Sequence, residues 1–334
     1  MTGYKLFSDK MLLLPSYVPA HKWRGGDLQT LRNTVRGPVC RLHSQGERLF
    51  FNVGPGQKLA AAWHRIKERA DGSLGPPIIM VHGLTGCETS SVITSAAAYF
   101  LSQGHSVLRL NLRGAGPSVH SSYGPYHAGL TSDLREVIKQ FCDREGVDAV
   151  NLYGISLGGN MVLKYLGEEG AQAPVAAAVT VCAPLDLAAV QQRLQQFRNR
   201  VYRNFLLKQM KDEARSAAPN HPAERIAAAV TAPDIYVYDD VYVAPTHGFD
   251  GADDYYARNS SGDYLTKIAV PTLLLHAEND PWIPAKDYLR RQWAWPLHMA
   301  MATDGGHVGF HSQDNKIPWH DRCAEVFFRS REDA

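Results

Sequence analysis

Six stretches of this 334-residue chain are apolar almost without interruption. They are PPIIMVHG (76–83), SVLRLNLRG (106–114), AVNLYGIS (149–156), AAAVTVCAP (176–184), PTLLLHAEND (271–280) and PLHMAMATDGGH (296–307). A strand with one wet face alternates apolar and polar residues, whereas a strand covered on both faces does not. These runs therefore predict buried parallel strands. Two earlier runs, RLFFNVG (48–54) and KLAAAWHRI (58–66), predict an antiparallel start to the same sheet.

Between these runs the apolar spacing changes to three and four. Leu134, Val137, Ile138 and Phe141 share one face of a predicted helix, with Thr131 or Ser132 as its cap. SSVITSAAAYFLSQGH (90–105) predicts another, stopped at Gly104. Strand and helix in alternation imply an α/β fold, a mostly parallel central sheet flanked by helices. The alternation breaks at residues 186–261, a long stretch between two strands. It opens with Leu187, Val190, Leu194, Phe197, Val201 and Phe205 at helical spacing. Segments this long are rarely structureless, so it is expected to be a mostly helical lid. Residues 1–185 and 262–334 then make the core.

Composition narrows the class rather than the fold. Hydrophobic residues make up 45% and charged residues 20%, ordinary for a globular chain, and the formal charge of +2 gives no reason to expect nucleic acid. The five cysteines are odd in number and form no C-x-x-C pair, which speaks for a reducing compartment and against a disulfide framework. The short apolar patch Met11–Leu14, ended by Pro15, is too brief for a secretory signal, and a cytoplasmic location is the expectation.

The chemistry concentrates at Gly154-Ile155-Ser156-Leu157-Gly158, a G-x-S-x-G between a predicted strand and a predicted helix. In that context the motif is a nucleophile elbow: a tight turn, kept clear by small neighbours, that projects a serine hydroxyl from the sheet edge. A serine needs a base to take its proton and an acid to orient the base. His307 in MATDGGHVGF is the candidate base, with His311 as competitor. Asp280 in HAENDPWIP is the candidate acid, ahead of Glu278, with Asp186 as another place for it. Oxyanion donors are expected at the N–H groups of Leu157 and Leu84. His82 is read as structural and Cys87 as a small buried filler. No cofactor or metal is called for.

Further segments carry a family likeness. GGDLQTL (25–31), HGLTG (82–86), LNLRGAG (110–116), YHAG (126–129) and APTHGFDGADDYYARNSS (244–261) resemble characteristic segments of the YheT-like branch of the α/β-hydrolase superfamily. The likeness runs from about residue 15 to 310. Asp27 stands where that branch usually has histidine, and RGAGPS departs after its Arg-Gly. The branch includes bacterial esterases and eukaryotic monoacylglycerol lipases, phospholipases and medium-chain acyltransferases. The resemblance implies Ser156, Asp280 and His307 as a catalytic triad acting on a small-molecule acyl ester. The basic, amphipathic start of the lid suggests a packed helix with a solvated cationic face, or a transient contact with a membrane surface. An acyltransferase and a non-catalytic ligand-binding module are the alternative readings.

Overall fold

The computed structural model describes residues 3–66, 75–217 and 221–332. Its strands are β1 (Tyr4–Phe7), β2 (Glu47–Gly54), β3 (Gln57–His64), β4 (Ile78–Val81), β5 (Val107–Leu110), β6 (Val150–Ile155), β7 (Val175–Val181), β8 (Thr272–Ala277) and β9 (Leu297–Ala302). They form one sheet in the order β1-β9-β8-β7-β6-β4-β5-β3-β2. The central pairings from β5 to β9 are parallel, while β2, β3 and β1 join antiparallel. The six continuous apolar runs are thus the six parallel strands, and the pleat explains their lack of alternation. Ile79 and Val81 face one apolar cluster, while Ile78 and Met80 face the other.

The helices are α1 (Gly26–Arg36), α2 (Ser91–Ser102), α3 (Thr131–Glu145), α4 (Leu157–Glu169), α5 (Leu187–Gln195), α6 (Arg200–Ala217), α7 (Ala223–Thr231), α8 (Ile235–Tyr238), α9 (Ala244–Thr246), α10 (Ala252–Asn259), α11 (Lys286–Leu289) and α12 (Trp319–Glu332). Residues of α3 and α4 fill the cluster on one face of the sheet, and residues of α2 and α12 fill the other. Between β7 and β8 the described chain is helical from α5 to α10, with a π-helical turn at Asp239–Val243. This stretch packs on the α3/α4 side.

Three details differ from the sequence reading. Strand β1 carries no strand pattern of its own. Its four residues pair antiparallel with β9, from Tyr4 opposite Ala302 to Phe7 opposite Met299, so a partner far along the chain makes it a strand. Thr131 is the first helical residue of α3 rather than its cap, and its hydroxyl bonds the Glu168 carboxylate on α4 at 2.5 Å. The apolar row from Leu187 to Phe205 is not one buried stripe. Leu187 and Leu194 are buried, but a 3-10 turn at Phe197–Asn199 shifts the helical phase. Helix α6 therefore buries Tyr202, Leu206, Leu207 and Met210 and leaves Val201 and Phe205 outside, as the turn leaves Phe197.

Candidate active site

The parallel register brings the ends of β4, β6, β8 and β9 to one edge of the sheet, where loops can converge. Ser156 follows β6 directly, with φ 52° and ψ −120°. That conformation costs a non-glycine residue on the order of 1–3 kcal/mol and persists because the surroundings impose it. The glycine at 158 explains the tightness of the turn: a Cβ there would lie 2.4 Å from the Val81 carbonyl oxygen and 2.5 Å from that of His82. Only a residue without a side chain lets α4 begin this close to β4. Leu157 opens α4, so its N–H belongs to the first turn, where no intrahelical acceptor exists.

Ser156 Oγ lies 2.9 Å from His307 Nε2, and His307 Nδ1 lies 2.9 Å from Asp280 Oδ2. The other carboxylate oxygen of Asp280 accepts the N–H groups of Trp282 at 2.8 Å and Ile283 at 3.0 Å. Burial works to raise the Asp280 pKa, but the neighbouring His307, its hydrogen bond, His276 and the Ile283 N–H outweigh it. The carboxyl is held below its ordinary value. An ionised Asp280 accepts from Nδ1–H, which leaves the Nε2 lone pair facing the serine hydroxyl. The Trp282 ring stacks on His307 with centroids 4.3 Å apart.

The competing residues are engaged elsewhere. Glu278 pairs with Lys5 of β1 at 2.7 Å. Asp186 caps α5 by accepting the Ala189 N–H at 3.0 Å. His311 contacts Asn33 Oδ1 through Nε2 at 2.9 Å, and burial, with Arg32 nearby, pushes its pKa down to about 3. His82 donates from Nδ1 to the Gly83 carbonyl at 2.8 Å and accepts the Leu112 N–H at Nε2 at 3.1 Å, with burial lowering its pKa to about 4. It is a neutral strut between β4 and β5. Cys87 is only half-buried, beside Thr89, rather than a buried filler.

Helix α1, from the GGDLQT segment, turns out to hold the histidine loop. Thr30 Oγ1 accepts the His307 N–H at 2.8 Å, Gln29 accepts the His311 N–H at 2.8 Å, and Asn33 donates to the Val308 carbonyl at 2.8 Å. A Cβ on Gly306 would lie 2.4 Å from the Gly26 carbonyl oxygen, so loop and helix touch backbone to backbone. Asp27 makes no hydrogen bond to Ser156, His307 or Asp280. It bonds Arg198 at 2.9 Å and Tyr202 at 3.0 Å, tying α1 to α6.

Leu84 sits in the loop after β4, beside Thr85 at φ 57°. The Thr85 N–H donates to Tyr126 Oη at 2.6 Å, and the Thr85 hydroxyl reaches Gln209 on α6 at 2.7 Å. Tyr126 in turn donates to Glu213 on α6 at 3.4 Å. A chain of hydrogen bonds thus joins this loop to the helical insertion. Neither Tyr126 nor Glu213 stood out in the sequence as site residues. Tyr126 belongs to the YHAG segment, and no local pattern pairs it with position 213.

Above Ser156 opens a cavity of about 110 Å³ between the sheet edge and α5, α6 and α8. Leu84, Leu157, Leu194, Leu206, Met210 and Trp282 are among its largely apolar lining. Glu213 and Asp239 also face it. Burial lifts the Glu213 pKa to about 8 and that of Asp239 to about 7, against the lowering effect of their tyrosine hydrogen bonds.

Among the described residues one trio has ligand atoms close enough for a metal: Cys182, His276 and Asp280, within 4.8 Å of one another and all buried. The sequence spacing does not reveal it, because Cys182 follows β7 while His276 and Asp280 lie together at the end of β8. Both Asp280 oxygens already serve His307, Trp282 and Ile283, and none of the three residues lines the cavity.

The α/β hydrolase fold family model matches residues 76–314. YheT of Escherichia coli (strain K12), a protein named as an esterase, is 31% identical over 302 residues, covering 88% of this chain and 86% of that protein. Medium-chain fatty acid ethyl ester synthase/esterase 2 of Saccharomyces cerevisiae is 29% identical, over 76% of this chain and 62% of that protein. Monoacylglycerol lipase ABHD2 of Homo sapiens is 27% identical, over 93% and 79%. Among solved structures, the Pyrococcus furiosus esterase Pf2001 superposes with a TM-score of 0.55 at 15% identity, covering 85% of this chain and 92% of that one, a likeness of fold. No helix among the described residues is long and apolar enough to cross a membrane. The chain belongs to the α/β-hydrolase family and, within it, to the YheT-like esterases.

Proposed function

We propose that this protein hydrolyses carboxylic esters of short- to medium-chain acyl groups with Ser156 as nucleophile, His307 as base and Asp280 as the orienting acid. The observation that carries the reading is the unbroken Ser156–His307–Asp280 hydrogen-bond chain at the floor of an apolar cavity. Ser156 Oγ attacks the ester carbonyl while its proton passes to His307 Nε2. The resulting oxyanion is received by the N–H groups of Leu157 and Leu84. The C–O bond to the alcohol breaks, and His307 hands that alcohol the proton, leaving an acyl group on Ser156. Water then attacks with its proton going to His307, and Ser156 recovers its hydrogen as the acid departs. The helices from α5 to α10 act as a cap that supplies most of the acyl-binding wall.

An alcohol in place of water would give acyl transfer by the same steps. The yeast relative, named both as synthase and as esterase, favours keeping that second reading. The test is turnover of a p-nitrophenyl ester series by wild type and Ser156→Ala, with ethanol added in a parallel reaction. Equal turnover in the two proteins would sink the triad. Ethyl ester in the ethanol arm would establish transfer, and free acid alone would exclude it under those conditions.

A further inference from the structure

Two amphipathic helices turn their apolar edges outward. On α1, Leu28, Leu31 and Val35 are 47%, 40% and 68% exposed, at positions i, i+3 and i+7 of one stripe. At the start of α6 and the turn before it, Phe197, Val201 and Phe205 are 86%, 77% and 45% exposed, four residues apart. Large apolar side chains scattered singly over a surface need no explanation, but two ordered stripes do.

The two segments are tied together at one end. Asp27, next to Leu28, bonds Arg198 in the turn before α6 and Tyr202 in its first turn, the residues on either side of Val201 in the chain. Their meeting point is also close to the chemistry. The Tyr202 ring lies 5.5 Å from Trp282, which stacks on His307. Helix α6 is therefore two-faced: Leu206 and Met210 line the cavity, while Phe197, Val201 and Phe205 face solvent.

Charge identifies the occupant. From Phe197 to Lys211 the chain carries Arg198, Arg200, Arg203, Lys208 and Lys211 and no acidic residue. From Leu28 to Arg36 it adds Arg32 and Arg36; the acid just before this stretch, Asp27, is already paired with Arg198. A second copy of the chain, docked symmetrically, would set these cations against themselves. An anionic lipid surface instead takes the apolar stripes into its acyl boundary and pairs the rim cations with headgroups.

We propose that α1 and the first half of α6 form a docking face for an anionic lipid bilayer, placing the mouth of the acyl cavity at the membrane surface. This deepens the esterase reading by naming where the substrate is met, and it rests on that reading for its purpose alone. The test is co-sedimentation of the full chain with vesicles of phosphatidylglycerol and phosphatidylcholine, or of phosphatidylcholine only. Wild type is expected to pellet with the anionic vesicles, and less so as salt is raised. The Val35→Ser/Phe197→Ser/Val201→Ser variant is expected to lose about tenfold in partitioning, since burying apolar area drives insertion. Its hydrolysis of soluble p-nitrophenyl butyrate should match wild type, which certifies the fold. Arg200→Glu/Lys208→Glu should lose the preference for anionic vesicles. Wild type remaining in the supernatant, or the triple serine variant binding as well as wild type, would overturn the proposal. So would a wild-type dimer, seen by sedimentation equilibrium, that the serine variant breaks, because the face would then belong to a second copy. Vesicle binding without ester turnover would instead count against the esterase reading and leave the docking face standing.

Discussion

The sheet body and the helical insertion solve opposite problems. In the body, strands β4 to β9 are buried along almost their whole length, and side chains near Ser156 and His307 are pinned by backbone hydrogen bonds. Asp280 accepts two N–H groups, His82 bridges two loops, and Thr30 grips the histidine loop. In the insertion, α6 has an apolar face toward the cavity and another toward solvent, and carboxyls lie in the cavity wall. Glu213 and Asp239 each take a hydrogen bond from one tyrosine. One region fixes atoms in place, while the other encloses volume and meets the outside.

Substitutions sharpen that contrast, and the largest effect belongs to the body. Ser156→Ala should reduce p-nitrophenyl butyrate turnover by about 10⁴-fold or more with no fall in melting temperature, because on the proposed mechanism removal of the nucleophile leaves only binding and oxyanion stabilisation. Comparable turnover in the variant would show that the body does not carry the chemistry. Gly158→Ala comes next. Its methyl meets two carbonyl oxygens, and the expected loss is about 1–3 kcal/mol of stability, read from denaturant midpoints. An unchanged midpoint would mean that the turn is looser than this contact implies.

Tyr126→Phe tests where the two regions join. Without its hydroxyl the Thr85 N–H and the Glu213 carboxyl lose their common partner. The expected result is a fall of roughly tenfold in kcat with little change in KM, smaller than loss of an oxyanion donor itself. A change confined to KM would place Tyr126 in substrate binding rather than in positioning the loop.

The smallest effect is expected in the insertion. The Glu213 pKa stands at about 8 in the folded chain against an ordinary value of 4.5. Between those values the folded state keeps a proton that the unfolded state gives up, so this group's contribution to stability declines as pH rises through the window. Glu213→Gln removes that slope. Its melting temperature should gain on wild type by a few degrees between about pH 5 and about pH 8. A gap that does not change with pH would mean that the carboxyl ionises freely in the cavity.

Local pattern was enough for the parts whose neighbours lie close in sequence. The six parallel strands are legible because each is a long apolar run, and the elbow is legible because strand, glycines and helix are contiguous. The same reasoning explains what it misses. Strand β1 has only four residues and is made a strand by β9. The row from Leu187 to Phe205 has helical spacing throughout, yet a 3-10 turn changes which side is buried.

By itself, then, the sequence determined the strand order along the chain, the serine at its turn and the short set of acids and histidines that could serve it. Tertiary structure alone decided which of them meet. Asp280 rather than Glu278 meets His307 because the loop after β8 turns its carboxylate inward onto the Trp282 and Ile283 N–H groups, while Glu278 pairs at the surface with Lys5, on a strand from the other end of the chain. His307 rather than His311 faces Ser156 because α1 grips the loop between them at Thr30, Gln29 and Asn33. The reason is physical: a hydrophobic run selects its own local conformation, whereas a hydrogen bond between residues some 150 positions apart exists only once packing has brought them to about 2.9 Å.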